Sequence, residues 1–158
     1  MLAPTFSPRG LAHLGLALLT ASAPLSTLAL GINCRGSGFC TGFPINPQVS
    51  GKEAKVLADW IQGLEADGLQ PVVIADDRIY KNGEHIACYQ RSLICAFLQK
   101  TKGDGVSGAD IKKIARFIPD HGCKVCGSVP TDYPDTNNVN DGELTFNYVT
   151  SPSCNGVC

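Results

Sequence analysis

The sequence predicts a disulfide-rich α/β (α+β) fold in two layers: a mainly antiparallel sheet of about five strands with two main helices on one face. Three observations predict it. Two segments carry apolar residues at helical spacing behind clear start signals. Short apolar runs bounded by turn residues are interspersed with them. All eight cysteines lie beyond residue 33 of the 158.

Residues 1–29 read as an export signal. One charge, Arg9, precedes an apolar stretch from Leu11 to Leu19, and Thr27-Leu28-Ala29 satisfies the small-x-small rule for cleavage. Ala21-Ser22-Ala23 satisfies the rule too, but Pro24 follows and disfavours a cut there. Cleavage after Ala29 would leave Leu30 as the mature N-terminus of one domain, residues 30–158, large enough for a modest core. A membrane anchor needs roughly twenty unbroken apolar residues, and Ser22, Pro24 and Ser26 interrupt this stretch too early. The expected location is extracellular.

The first strand is expected at residues 32–37. Ser50-Gly51-Lys52-Glu53 is a capping box, and Ala54, Leu57, Ile61 and Leu64 then recur at helical spacing beside Trp60 until Gly68. Val72-Val73-Ile74-Ala75 reads as a buried strand. Asn82-Gly83, between Ile79-Tyr80 and His85-Ile86-Ala87-Cys88, signals a type I′ hairpin. A short helix is expected at residues 92–100. The second main helix starts at Ser107 as cap, with Asp110 in its first turn and Ile111, Ile114, Ala115 and Ile118 as its apolar stripe. Pro119 and Gly122 end it. A strand at residues 124–127 and another at 144–149 follow, with Leu144, Phe146 and Tyr148 on one face.

The even cysteine count suits four bridges in an oxidising compartment, where 105 connectivities are open to eight cysteines. His121-Gly122-Cys123-Lys124-Val125-Cys126-Gly127 would suggest zinc or redox work in a cytosolic protein. Behind an export signal, Cys123 and Cys126 are expected to bond to different distant partners. Charge is segregated: residues 52–77 carry net −4, residues 78–124 net +5, and the C-terminal part net −4. Solvated charged faces are common, so this alone names no partner.

Chemical readings find little support. Zinc on Cys123 and Cys126 with His121 or His85 competes with the bridges. No G-x-S-x-G elbow accompanies the histidines. Glu84 with Asp76 or Asp77 could imitate a glycosidase pair, but acids beside a hairpin turn are ordinarily solubilising. Lysines 112 and 113 with Arg116 lack interleaved aromatics on which bases would stack, so no nucleic-acid partner is expected. No catalytic residue, metal or cofactor is expected.

The stretches Leu30-Gly31-Ile32-Asn33-Cys34-Arg35-Gly36-Ser37, His121 to Ser128, and Gly142-Glu143-Leu144-Thr145-Phe146-Asn147-Tyr148-Val149, together with Cys40, resemble the KP-four killer toxin family. The resemblance is specific at both ends of the expected mature chain and matches residues 41–107 only in outline. It implies a two-layer α/β sandwich with left-handed split βαβ crossovers, against the usual right-handed preference. It also implies a small secreted toxin that blocks calcium channels without enzymatic chemistry. By the same resemblance Cys34 pairs with Cys123, Cys40 with Cys126 and Cys88 with Cys95, which leaves Cys154 to Cys158. The family places further cysteines between the first helix and the hairpin, but residues 41–87 contain none. The lysine that the family carries before its second strand, implicated in channel block, has no counterpart in residues 65–72.

The expected partner is therefore a membrane channel or surface receptor of a target cell, met by a monomer. A basic contact would come from Lys112, Lys113 and Arg116 on the outer face of the second helix, with Lys100 and Lys102 from the preceding loop. The other reading is a secreted effector or cell-wall binding module that uses the same fold without channel block.

Overall fold

The computed structural model describes residues 31–70 and 72–158. The expected signal segment 1–29 and the start of the domain at Leu30 lie outside the described residues. The fold is α+β and rich in disulfides. Strands β1 (Ile79–Tyr80), β2 (His85–Tyr89), β3 (Ile94–Gln99), β4 (Val106–Ser107), β5 (Gly127–Pro130), β6 (Glu143–Tyr148) and β7 (Gly156–Val157) form two antiparallel sheets. Five strands run in the order β5-β6-β3-β2-β7, and β1 pairs with β4.

Register shows how the core is made. Phe146 lies opposite Ala96 and Gly127, Leu144 opposite Leu98 and Val129, and Ile94 opposite Tyr89 and Tyr148. Alternation sends these side chains to one face. Helix α1 (Glu53–Ile61) lies across β2 and β3, while α2 (Gly108–Ala115) and the single turn α3 (Phe117–Asp120) pack by β5. Leu57, Trp60 and Ile61 from α1 and Ile111, Ile114 and Ile118 from the other two are buried against the sheet. On the opposite face Thr145 Oγ1 donates to Gln99 Oε1 (3.1 Å) and meets Ser128 Oγ (3.1 Å), while Phe97 lies against His85.

Several expectations are corrected, three by non-local partners and two by neighbours in the chain. The run at 92–100 is not a helix but the central strand β3. Nine residues make a weak lone helix, whereas β3 is flanked by β2 and β6 and has Cys95 opposite Cys88. The first strand shrinks to one bridge, Asn33 with Ser128. Residues 72–75 form no strand: β7 holds the outer edge of β2, Val72 and Val73 are 60% and 65% exposed, and only Ile74 is buried. Asn82-Gly83 is not a type I′ turn, which needs positive φ at both positions; only Gly83 has it, at +77°. Glu84 closes that turn instead, accepting from Lys81 N (3.0 Å) and Arg78 Nη2 (2.7 Å), and β1 is left to pair with β4. Helix α1 stops at Ile61, ahead of Gly63 at φ +75°, rather than at Gly68.

The capping box is half realised. The Glu53 carboxylate folds back and accepts from Ser50 N (2.7 Å), Ser50 Oγ (2.9 Å), Gly51 N (2.9 Å) and Lys52 N (3.0 Å). Ser50 thus donates its hydroxyl instead of capping an amide. The Ala54 amide donates to the Lys124 carbonyl (3.1 Å), so the bend between Cys123 and Cys126 holds the helix start.

Candidate functional site

Four bridges are present: Cys34–Cys123, Cys40–Cys126, Cys88–Cys95 and Cys154–Cys158. The first two tie the N-terminal segment to the bend before β5 across 89 and 86 residues. That approach is close: a Cβ on Gly36 would come within 2.6 Å of both Cys126 Cβ and Cys40 Sγ. Phe39 then stacks on Tyr148 at 4.5 Å, and Ser37 N donates to Asn147 Oδ1 at 2.9 Å. Arg35 and Lys124 line the resulting groove of about 620 Å³ with no carboxylate among its walls.

The bonding of Cys123 and Cys126 removes the thiolates that zinc would need, and His85 sits elsewhere, with its Nδ1 against Ser153 Oγ at 2.9 Å. The Glu84 carboxyl is held below the usual carboxylate range, first by the Lys81 N–H and then by Arg78. A general acid needs the opposite shift. Asp76 is engaged by Lys112.

The structure splits the five expected contact cations. Lys112 Nζ pairs with Asp76 (2.7 Å), Lys113 with Asp110 (2.8 Å), Lys100 with Glu143 (2.8 Å) and Lys102 with Asp141 (2.6 Å). Asp110 is pushed below the usual carboxylate range by Lys113 and by the Ser107 hydroxyl, and Asp141 by Lys102. Lys102 and Lys113 border a cleft of about 1120 Å³ that also carries Asp132, Asp135 and Tyr133. Arg116 stands apart. It lies over the Phe117 ring (5.3 Å) and faces a groove of about 390 Å³ between α1 and α3, lined also by Lys52, Lys55 and Lys124 and by the carboxylates of Asp59 and Asp120.

Sequence reasoning missed Arg35 and Lys124. Neither has a carboxylate within ion-pair distance among the described residues, and with Arg116 they flank two neighbouring grooves. No local pattern marks them, because several of the ion pairs, such as Lys112 with Asp76 and Lys100 with Glu143, join residues far apart in the chain. Lys52 reaches Asp67, which also accepts from the Tyr89 hydroxyl. That pair, Lys52 first, holds the Asp67 carboxyl below its ordinary value. A lysine is thereby brought against the lysine-free stretch 65–72.

Charge reversal should therefore have unequal structural effects. Arg116→Glu is expected to change stability by less than about 0.5 kcal/mol, as exposed substitutions do. Lys112→Glu sets a second carboxylate beside Asp76 and should cost on the order of 1 kcal/mol. Equal urea midpoints for the two variants would contradict this.

The family model described as Kp4 matches residues 16–150. The KP4 killer toxin of Ustilago maydis P4 virus is 34% identical over 126 residues, which cover 78% of this chain and 83% of that toxin.

Proposed function

On the premise that this chain belongs to the Kp4 family, we propose that it is a secreted toxin that inhibits the growth of competing fungi or host cells by blocking a membrane calcium channel. The protein is killer-toxin-like; what carries the finer reading is the likeness to a killer toxin over most of the chain. Four bridges suit an oxidising compartment, and cleavage after Ala29 would release the domain. Among the described residues, no helix is long and apolar enough to cross a membrane. The action is by binding, without bond-making chemistry.

The proposed contact surface is cationic and includes Lys100, Lys102, Lys112, Lys113 and Arg116. Arg116 is its strongest member, because the four lysines already face carboxylates. In a growth assay Arg116→Gln should lose more inhibition than Lys102→Gln. The reverse order would move the contact to the cleft beside Asp141.

The test of the function is a growth assay of oxidised mature protein on fungi and plant roots, with and without added calcium. Inhibition of fungi that calcium relieves is the expected result. Inhibition indifferent to calcium would overturn channel block. The absence of a lysine in residues 65–72 favours one second reading, an effector or cell-wall binding module of the same fold. Effects on roots alone, with every fungus growing normally, would favour it.

A further inference from the structure

Two disulfides meet at the edge of the five-stranded sheet. Cys88–Cys95 clamps β2 to β3 at a directly opposed pair, and both cysteines are fully buried. Cys154–Cys158 closes the C-terminal tail, and both of its cysteines are only half-buried. Strand β7 pairs with β2, and Cys158 N donates to Ile86 O (2.9 Å), which seats the tail against the buried bridge. Cys158 Sγ lies 3.9 Å from Cys88 Sγ. The sulfurs of Cys88, Cys154 and Cys158 all fall within 4.8 Å of one another.

Polar groups flank these sulfurs. Ser153 Oγ is 3.6 Å from Cys158 Sγ and 2.9 Å from His85 Nδ1. A ring nitrogen of His85 is also within 4.8 Å of the Cys88 and Cys95 sulfurs. One imidazole–hydroxyl pair therefore stands beside a sulfur that could attack and beside a sulfur that could leave.

We infer that this cluster is a thiol–disulfide exchange site, in which a small thiol from solvent opens Cys154–Cys158 and Cys158 hands the break on to the buried Cys88–Cys95 bridge. An incoming thiolate bonds to Cys154 Sγ and expels Cys158 as a thiolate, placed for a hydrogen bond from the Ser153 hydroxyl. Cys158 then bonds to Cys88 Sγ and expels Cys95, which takes up a proton. Two disulfides are present before the sequence and two after it, and one thiol enters as one appears at Cys95, so no separate oxidant is needed. Burial gives the path its direction: solvent thiols reach the tail bridge, and the inner bridge is reached through Cys158. The outcome moves a covalent clamp from the β2–β3 pair to the β2–β7 edge.

The experiment treats the oxidised protein with about one equivalent of dithiothreitol under native conditions, quenches with acid and alkylates free thiols. Cleavage after Arg91 separates Cys88 from Cys95, and cleavage after Tyr148 isolates the tail. A Cys88–Cys158 peptide with alkylated Cys95, appearing while the fold is intact by circular dichroism, is expected. Label confined to Cys154 and Cys158, with Cys88–Cys95 whole, would overturn the inference. Cys154→Ser supplies a second reading with no reductant. Its single thiol should be found divided between Cys158 and Cys95, and a thiol only at Cys158 overturns the inference equally. Ser153→Ala should slow appearance of the Cys95 label without changing the urea midpoint.

Discussion

Replacing Cys34 and Cys123 together by alanine is expected to lower the free energy of unfolding by about 4 to 5 kcal/mol. The bridge closes a loop of 89 residues, and in the chain-entropy model the gain rises with the logarithm of loop length. Cys88–Cys95 closes only 7 residues, for which the same model gives about 2 to 2.5 kcal/mol. Cys88 and Cys95 are both fully buried whereas Cys34 is exposed, so the second variant also loses more packing and the measured difference should be smaller than the loop term alone. Against a typical domain stability of about 5 to 15 kcal/mol, losing the first bridge leaves little margin. Urea unfolding of the two double variants measures this directly. A Cys88→Ala/Cys95→Ala variant that proved the less stable of the two would defeat the loop-length argument.

The second large effect is expected at Glu53. Its side chain is 0% exposed, yet it is a carboxylate, tolerated because three backbone amides and one hydroxyl donate to it. Glu53→Ala leaves the amides of Ser50, Gly51 and Lys52 without that acceptor in a loop folded around it. Hydrogen bonds to charged groups contribute roughly 1.5 to 3 kcal/mol each, but they do not add fully, so the expected loss is about 3 kcal/mol. That corresponds to a fall in Tm on the order of 10 °C for a domain of this size. Glu53→Gln keeps one accepting oxygen and turns an amide nitrogen toward donors, so it should lose about half as much. A Glu53→Ala loss below about 1 kcal/mol would show that water replaces the carboxylate readily.

The elements that could be read in the chain were those whose cause is local. Helix α2 follows from Ser107 accepting the Asp110 amide and from Ile111 and Ile114 returning to one face, all within eight residues. Helix α1 was legible for the same reason, though Glu53 rather than Ser50 makes its cap. Strand β6 was legible in the two-residue alternation of Leu144 and Phe146. Where a local pattern had two solutions, its neighbours chose. The run Ile94-Cys95-Ala96-Phe97-Leu98-Gln99 is a strand because ladders wait on both sides of it. Residues 72–75, as apolar by sequence, are no strand because β7 occupies the edge of β2.

The same division holds for the candidate site. The sequence by itself determined two helices, their buried stripes apart from the exposed Leu64, the cysteine count and which faces carry charge, since propensity, capping and periodicity act between residues a few positions apart. Only the tertiary structure decided that Lys112 faces Asp76 and Lys100 faces Glu143, while Arg116, Lys124 and Arg35, like Lys81 and Arg91, have no carboxylate within ion-pair distance among the described residues. Only it set Cys158 beside Cys88, 70 positions away in the chain. Long-range ion pairs, ladders and sulfur contacts are set by which surfaces meet once the core is buried, and a linear pattern holds no record of that meeting.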